Sequence, residues 1–504
     1  MISPSGPVRV KSILMHQSPV EKRRRRSSAL SKQAPTNGFK IPTENLSSEF
    51  ANYLVSFGAQ EIVDDYALDL GTYTTAPDSP ENIQHNDDGT VKSATIEKLI
   101  ENMLRDSSQE IQHIFFATYT SFTTSSKVSS IILSMYLPNG EDLTEAQKDS
   151  NKTIIELFIY WVSNYGQEIC DNTLFSLLLF SAVANNNELN EALSCACKVR
   201  DKYGLAASLP LSMDWNSYLD SLPKTEEPEV EDEEEEEAEE EEENDDASPI
   251  IPDSWDGVTL DVLEWSPKEL ARQLTLVEQE YFSRIQTREC INDNFEKRRE
   301  SKAPNISRLV DHFNSTSRWI VATILREEDS ERRVLLLQHF IELASELIDF
   351  HNYQSLMAVG AAFNNSALFR LSNLWSQLDE EYIDIVEYMR ELLDPSKKFK
   401  NLRAAMESPD STPCIPYIGV IMSDLSAIES LYNELIDELV NFNKKRMSTK
   451  VLRSVQTYQK YKYPFERIPS LCECLKDTVL DSNDFSLLSE QELHKMSLSV
   501  QPRK

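Results

Sequence analysis

A long acidic run divides this chain into two parts. Glu226 to Asp246 contains 17 Asp and Glu residues and no Lys or Arg. These carboxylates repel one another and have no partners to offset the cost of burial, so the run cannot join a hydrophobic core. We therefore predict separate folded units on its two sides, joined by a charged linker over residues 223–256.

The acidic run accounts for half of the net charge of −34, and the rest of the chain is still acidic. A protein that binds nucleic acid needs positive charge to displace counterions from phosphate. We therefore expect protein partners and no nucleic acid. The acidic run by itself has two interpretations. It could belong to an acidic chaperone that binds basic proteins, or it could be a solvated spacer between folded domains.

The cysteine spacing favours free thiols over a metal or redox site. The cysteines are Cys170, Cys195, Cys197, Cys290, Cys414, Cys472 and Cys474. Their two Cys-x-Cys pairs lack the Cys-x-x-Cys spacing of a zinc or thioredoxin site. No apolar run approaches the roughly 18 residues that a membrane span requires. These features predict a cytoplasmic protein.

Residues 1–90 are predicted to be a mostly disordered arm, because they are rich in polar residues and poor in large apolar ones. A short helix over Phe50 to Tyr66 is the exception. The basic run Arg23 to Arg26 precedes Ser27 and Ser28, so a basophilic kinase could modify either serine. Without an apolar face or a lipidation motif nearby, the run supports at most transient membrane recruitment.

Helical periodicity begins at Thr95 and predicts an N-terminal domain over residues 91–222. Apolar residues recur at helical spacing after Thr95, and aromatic residues follow between Phe115 and Phe122. The segment Thr173 to Ala184 is apolar nearly all round, which is typical of a helix buried among others.

Residues 257–504 predict a larger helical domain. Ser266 can cap a helix that starts with Pro267, and Glu269 lies where its side chain can reach back to the cap. Further amphipathic stretches start at Asn305 and Ser330, and others cover Leu374 to Leu393 and Leu425 to Phe442. No stretch alternates like a strand, so the predicted fold class is all-α.

The sequence lacks the motifs of covalent catalysis. It has no Gly-x-Ser-x-Gly nucleophile motif, no phosphate-binding loop and no kinase motifs. His339 and His351 lie 12 positions apart, without other ligands at metal-binding spacing. We therefore expect no metal and no cofactor, and any catalysis would act through protein binding.

Five ordered blocks of the larger domain resemble the catalytic domain of Ras-family guanine-nucleotide exchange factors. The blocks cover residues 269–282, 303–319, 350–371, 400–424 and 440–446. The N-terminal unit is similar to the exchanger motif that precedes this domain, through Thr95 to Ile100, Phe115 to Phe122, and Trp161. The resemblance implies two helical domains that promote GDP release and GTP loading on a small Ras- or Rap-like GTPase.

The resemblance also implies a protruding helical hairpin that displaces a switch region of the GTPase. It falls near Leu378 to Leu402, and Pro395 marks the end of the first arm. Asn314 matches the family asparagine that hydrogen-bonds the second switch. The other residues assigned to catalysis lie on the hairpin and are Val386, Met389 and Glu391.

Further GTPase contacts are expected on the same basis. These residues are Arg272, Thr275, Asp311, His312, Asn364, Asn365, Arg370 and Ile385. Leu309, Phe313, Trp319 and Phe369 are expected in the core. The departure from the family at Ser411 to Pro413, where relatives often carry two prolines, leaves an alternative open: a non-catalytic adaptor that binds a GTPase without exchange.

Overall fold

A computed structural model describes residues 39–40, 67–105, 109–138, 143–184, 186–202, 249–257, 260–292, 294–297, 299–407, 412–476 and 488–502. The basic run, the predicted helix over Phe50 to Tyr66 and the acidic run lie outside these residues. Two helical domains account for most of the described chain.

In the residues that the structure describes, the N-terminal domain packs six α-helices around an aromatic core. Its strands are β1 (Phe39–Lys40), β2 (Ala67–Leu68), β3 (Ile83–His85) and β4 (Val91–Ala94). Its helices are α1 (Ile96–Arg105), α2 (Gln109–Thr118), α3 (Ser125–Met135), α4 (Glu145–Tyr165), α5 (Asp171–Ala184) and α6 (Asn187–Lys202). Phe116 of α2 stacks on Trp161 of α4, with ring centroids 5.2 Å apart. The aromatic cluster noted in the sequence is therefore the centre of this domain.

The N-terminal domain begins earlier than the predicted boundary at residue 90. Leu68, Leu70 and Ile83 are buried in its core. β3 and β4 form an antiparallel hairpin in which Ile83 pairs with Ala94. The stretch Gly71 to Gly89 falls within the arm predicted to be mostly disordered, but its turn residues lead into this hairpin.

The C-terminal domain is a larger assembly of helices with one small hairpin. Its first helices are α7 (Pro267–Ser283), α8 (Thr287–Cys290), α9 (Asn294–Lys297), α10 (Arg299–Lys302), α11 (Pro304–Arg326), α12 (Ser330–Asp349) and α13 (Tyr353–Phe363). The next are α14 (Ser366–Phe369), α15 (Ser372–Trp375), α16 (Glu380–Leu392), α17 (Lys400–Met406) and α18 (Ile418–Leu431). After strands β5 (Leu435–Ile436) and β6 (Leu439–Asn441) come α19 (Phe442–Lys460), α20 (Pro469–Lys476) and α21 (Glu490–Val500).

The predicted helix starts agree closely with the structure. The Ser266 hydroxyl accepts the backbone N–H of Glu269 at 3.1 Å and caps α7. α11 and α12 each start within one residue of the predicted position, although Asp329 rather than Ser330 caps α12. A polar cap precedes the buried apolar face of α7 and of α12, whereas Ala303 before α11 makes no side-chain cap and that helix starts with Pro304.

Two predicted helices of this domain are shorter in the structure. The stretch Leu374 to Leu393 is divided between α15 and α16. The stretch Leu425 to Phe442 leaves the helix after Leu431 and becomes a strand hairpin. Asp437 and Glu438 form its tip in left-handed backbone conformations. Such a two-residue turn reverses the chain and prevents one continuous helix.

A four-stranded sheet joins the two domains. Its order is β3-β4-β6-β5, so the N-terminal hairpin pairs with the C-terminal one. Ser93 pairs with Asn441, and Ala94 pairs with Val440. Neither domain completes this sheet alone, so strand pairing orients one domain against the other.

The start of α19 reinforces this connection. The side-chain amides of Asn443 and Asn86 exchange hydrogen bonds of 2.9 and 3.0 Å. The Arg446 guanidinium donates to the Val91 carbonyl at 3.3 Å. The Lys445 ammonium lies 5.6 Å from the centre of the Phe122 ring. The fifth sequence block therefore contains residues that hold the N-terminal domain in place.

Candidate functional site

A buried polar network connects α7, α11 and α13. The Ser355 hydroxyl donates to a Glu278 carboxylate oxygen at 2.5 Å, and the other oxygen lies 3.5 Å from Nδ1 of His312. The Asn352 amide donates to the Thr275 hydroxyl at 3.0 Å. All five side chains are buried. The network fixes the relative positions of three helices.

Three predicted GTPase contacts are corrected by this burial. Thr275 and His312 belong to the network, and neither side chain reaches the surface. Arg272 is 3% exposed, donates to Glu269 at 3.3 Å and lies over the Phe465 ring. A side chain enclosed in this way cannot contact a docked protein, so these residues support the surface from below.

The exposed side of α11 presents two of the predicted residues. Asp311 is exposed, and Asn314 is half-buried. The Asn314 amide makes no hydrogen bond to any residue that the structure describes, so its donor and acceptor are available to a partner. His312 points into the core, so α11 has a supporting side and a presenting side.

A helical hairpin lies where the resemblance placed it. Its first arm is α16, its second arm is α17, and Pro395 lies in the turn between them. In the turn, Lys397, Lys398 and Phe399 all have left-handed backbone conformations. Such conformations are rare outside glycine and require support from the surrounding structure.

The hairpin is fixed at several points along both arms. The Tyr382 hydroxyl donates to Glu342 of α12 at 2.8 Å. Arg403 donates to both oxygens of Asp424 at 2.7 and 2.8 Å, and this paired geometry ties the second arm to α18. The Tyr458 hydroxyl of α19 donates to the Met406 carbonyl at 3.1 Å. Both arms are therefore held firmly against the rest of the C-terminal domain.

The four predicted hairpin residues differ in exposure. Val386 and Met389 are 4% and 1% exposed and pack in the core of the C-terminal domain. Ile385 is half-buried, and Glu391 is exposed. The direct switch contact expected of Val386 and Met389 is corrected, because helical spacing directs both side chains inward. They anchor the arm whose outer side carries Glu391.

An aromatic series connects the hairpin turn to α11. The ring of Phe399 lies 6.1 Å from that of Tyr417, which lies 6.0 Å from the Phe313 ring. Phe313 is half-buried rather than fully in the core. These contacts link the hairpin turn to α11, the helix that also carries Asn314.

A cavity of about 350 Å³ lies beside the first arm. Its lining includes Phe369, Trp375, Ile383 and Arg390. Phe369 is 59% exposed, so the prediction that it is a core residue is wrong. It lies at the end of the four-residue helix α14, which is too short for periodicity to distinguish an inward from an outward residue.

The three remaining predicted contacts lie around α14. Asn365 caps α14 through Ala367 and donates to Glu490 of α21 at 3.1 Å. Arg370 donates to the Ser497 carbonyl at 2.8 Å. Asn364 is exposed at the end of α13. Asn365 and Arg370 therefore hold the C-terminal helix in this structure.

Within the described residues, no group of three His, Cys, Asp or Glu side chains could hold a metal ion. Over the same part of the chain, no helix is long and apolar enough to cross a membrane. The arrangement offers a broad surface of helices rather than an enclosed reaction centre.

Comparison with known families agrees with this arrangement. The RasGEF domain matches residues 269–446, and the RasGEF N-terminal motif matches residues 90–181. The first range contains α11 and the hairpin, and the two ranges together cover more than half of the chain. The chain belongs to the Ras guanine-nucleotide exchange factor family.

Similar proteins carry the same description. Ras guanine nucleotide exchange factor A of Dictyostelium discoideum is 27% identical over 84% of this chain and 68% of its own length. Exchange factor R of that organism is 26% identical over 82% of this chain and 22% of its own length. Human Ras-specific guanine nucleotide-releasing factor 1 is 30% identical over 47% of this chain and 18% of its own length. The chain thus spans only a minor part of the last two relatives.

Proposed function

We propose that this exchange factor promotes GDP release, and so GTP loading, on a small Ras-like GTPase. The observation that carries the proposal is the aromatic link between the hairpin turn and α11, the helix that carries the available amide of Asn314. An available amide, an exposed arm and a supported turn lie together on a rigid helical scaffold. No covalent step is required, since the activity consists of competition between two binding partners.

The energetics require a rigid surface. A nucleotide held at picomolar affinity is bound by about 16 kcal/mol. An exchange factor that weakens this binding by some factor is itself weakened by nucleotide by the same factor. The hairpin is fixed by Tyr382, Arg403 and Tyr458, so docking would not first have to order it.

Individual residues take different roles in this proposal. Asn314 hydrogen-bonds the second switch, and Asp311 contacts the GTPase beside it. Glu391 and the exposed part of Ile385 face the displaced switch from the first arm. Asn364 is a peripheral contact at the rim of the surface.

The direct test is the effect of nucleotide on complex formation. We expect the full chain to form a stable complex with a nucleotide-free Ras-like GTPase in gel filtration, and we expect added GDP to dissociate it. A panel of GTPases is needed because a few interface side chains determine the choice of partner. A complex that is equally stable with and without GDP would contradict exchange and favour the adaptor.

The N-terminal arm suggests a separate, finer proposal. Ser27 and Ser28 follow four arginines, the pattern that basophilic kinases accept. Phosphate there would offset the positive charge and reduce transient attraction to an anionic membrane. Vesicle sedimentation of the full chain before and after phosphorylation tests this, with the Ser27→Ala and Ser28→Ala double variant as the control.

A further inference from the structure

A second cavity lies between the two domains. None of the residues that line it is proposed to contact the GTPase. It has a volume of about 250 Å³. The N-terminal domain contributes residues 162–168 and part of α6, and the C-terminal domain contributes residues near Gln286 and the α19 side chains Gln456 and Gln459. It is smaller than the pockets that hold drug-sized ligands.

A buried carboxylate in this lining has an oxygen without a partner. Glu168 is 9% exposed. One carboxylate oxygen accepts the Thr287 hydroxyl and, at 3.2 Å, the Arg288 backbone N–H. The other oxygen is buried and has no hydrogen-bond partner among the described residues. Burial outweighs these two donors and raises the pKa of Glu168.

The neighbouring amide adds a second acceptor. The Gln459 NH₂ group donates to the carbonyls of Phe282 and Ile285 at 3.0 and 2.9 Å. With both donors used, the group that Gln459 can offer to the cavity is its carbonyl oxygen. A buried carboxylate and an amide oxygen together favour a ligand that supplies N–H donors and positive charge.

We infer that this cavity binds a small organic cation bearing an ammonium or guanidinium group. The cation donates to the free Glu168 oxygen and thereby supplies the partner that this carboxylate lacks. Because the lining comes from both domains, the bound cation links them. α19 also holds the second hairpin arm through Tyr458, so the cavity wall and the hairpin share one helix.

Agmatine is a suitable probe, since it carries one guanidinium and one ammonium group. We expect the full chain to bind agmatine with a stoichiometry of one in calorimetry and not to bind 1,5-pentanediol, a neutral chain of similar length. Glu168→Gln keeps one oxygen for Thr287 and Arg288 but removes the charge. It should weaken agmatine binding by roughly tenfold or more.

A cysteine supplies an independent readout at the same site. Cys195 lines the cavity with an exposed thiol, whereas the exposed Cys170 lies outside the lining. Agmatine should slow alkylation of Cys195 and leave the alkylation of Cys170 unchanged, as resolved by mass spectrometry in a Cys197→Ser background.

The matched control is Glu145→Gln, which removes an exposed carboxylate from the start of α4. It should bind agmatine like the parent chain, and thermal melting should show that both Gln variants are folded. The inference is overturned if agmatine does not bind, if Glu168→Gln binds it as tightly as the parent, or if Cys195 is not protected.

Discussion

The presenting side of α11 and the network beneath it are built in opposite ways. On the outside, Asn314 keeps its amide free of described partners. On the inside, His312, Glu278 and Ser355 are buried against one another. The comparison shows that one sequence block can contain both contact residues and the residues that position them. Substitutions in the buried network should therefore lower the free energy of unfolding. Substitutions on the presenting side of α11 should lower the rate of nucleotide exchange.

The largest expected effect is a loss of stability on substitution in the buried network. Glu278→Ala removes the buried partner of Ser355 and His312, and we expect it to lower the free energy of unfolding by about 3 kcal/mol. Urea denaturation measures this loss. Glu387→Ala, on the exposed side of α16, is the control and should stay within about 0.5 kcal/mol of the parent. Equal stability of the two variants would break the comparison.

The next largest effect is a loss of exchange rate on substitution of Asn314, on the presenting side of α11. Asn314→Ala removes an interface hydrogen bond of about 2 kcal/mol, so exchange should slow by roughly 30-fold while the melting temperature stays unchanged. Release of fluorescent GDP measures the rate. Asn187→Ala, an exposed asparagine of the N-terminal domain, should exchange at the parent rate. A lower melting temperature for Asn314→Ala would place this residue with the supporting network.

Arg403 shares features of the buried supporting residues and of the exposed contact residues, since it is partly exposed but positions the hairpin. Arg403→Ala breaks the paired contact with Asp424, and we expect about fivefold slower exchange. The same measurement on Asp424→Ala should give a similar loss, and the double variant should be no slower than either single one. Additive losses would show that the two side chains act separately.

Helical spacing explains how far the sequence alone could distinguish buried supporting residues from exposed contact residues. Successive residues of a helix are 100° apart, so His312 and Asn314 necessarily point in different directions. The inward direction of Val386 and Met389 could be predicted in the same way from the apolar face of α16. The resemblance assigned roles by position alone and therefore grouped inward and outward residues together.

Other features depend on contacts that no local pattern reveals. The exposure of Phe369 follows from the packing of α14 against α21. The pairing of β4 with β6 joins segments about 350 positions apart, as in Ala94 with Val440. Periodicity and the residues at helix starts predicted where α7, α11 and α12 begin, because each of these helices buries its own apolar face.

The stability of the fold should also depend on pH, through the buried His339 of α12. Burial lowers the pKa of His339 from 6.5 to about 4. Its unfolded form therefore binds more protons between these values, and stability present above pH 6.5 is lost as the pH falls toward 4. Between pH 7.5 and 6 the loss is about 0.8 kcal/mol. His339→Gln should remove it from denaturation curves, and an unchanged pH dependence would contradict this.

The smallest effect is expected in the acidic linker. Deletion of residues 226–246 removes 17 acidic residues but none of the proposed contact surface. Exchange rate constants should remain within roughly twofold of the parent, because every residue proposed to contact the GTPase is retained and salt screens the lost charges. Complete loss of activity would favour the acidic-chaperone interpretation of the run.

The most direct test of the central claim is the rate at which a Ras-like GTPase releases labelled GDP in the presence of the full chain. The structure predicts acceleration that saturates with increasing concentration of the chain, and it predicts that Asn314→Ala sharply reduces that acceleration. A GTPase that binds the chain stably and releases GDP at its unassisted rate would contradict exchange and identify an adaptor.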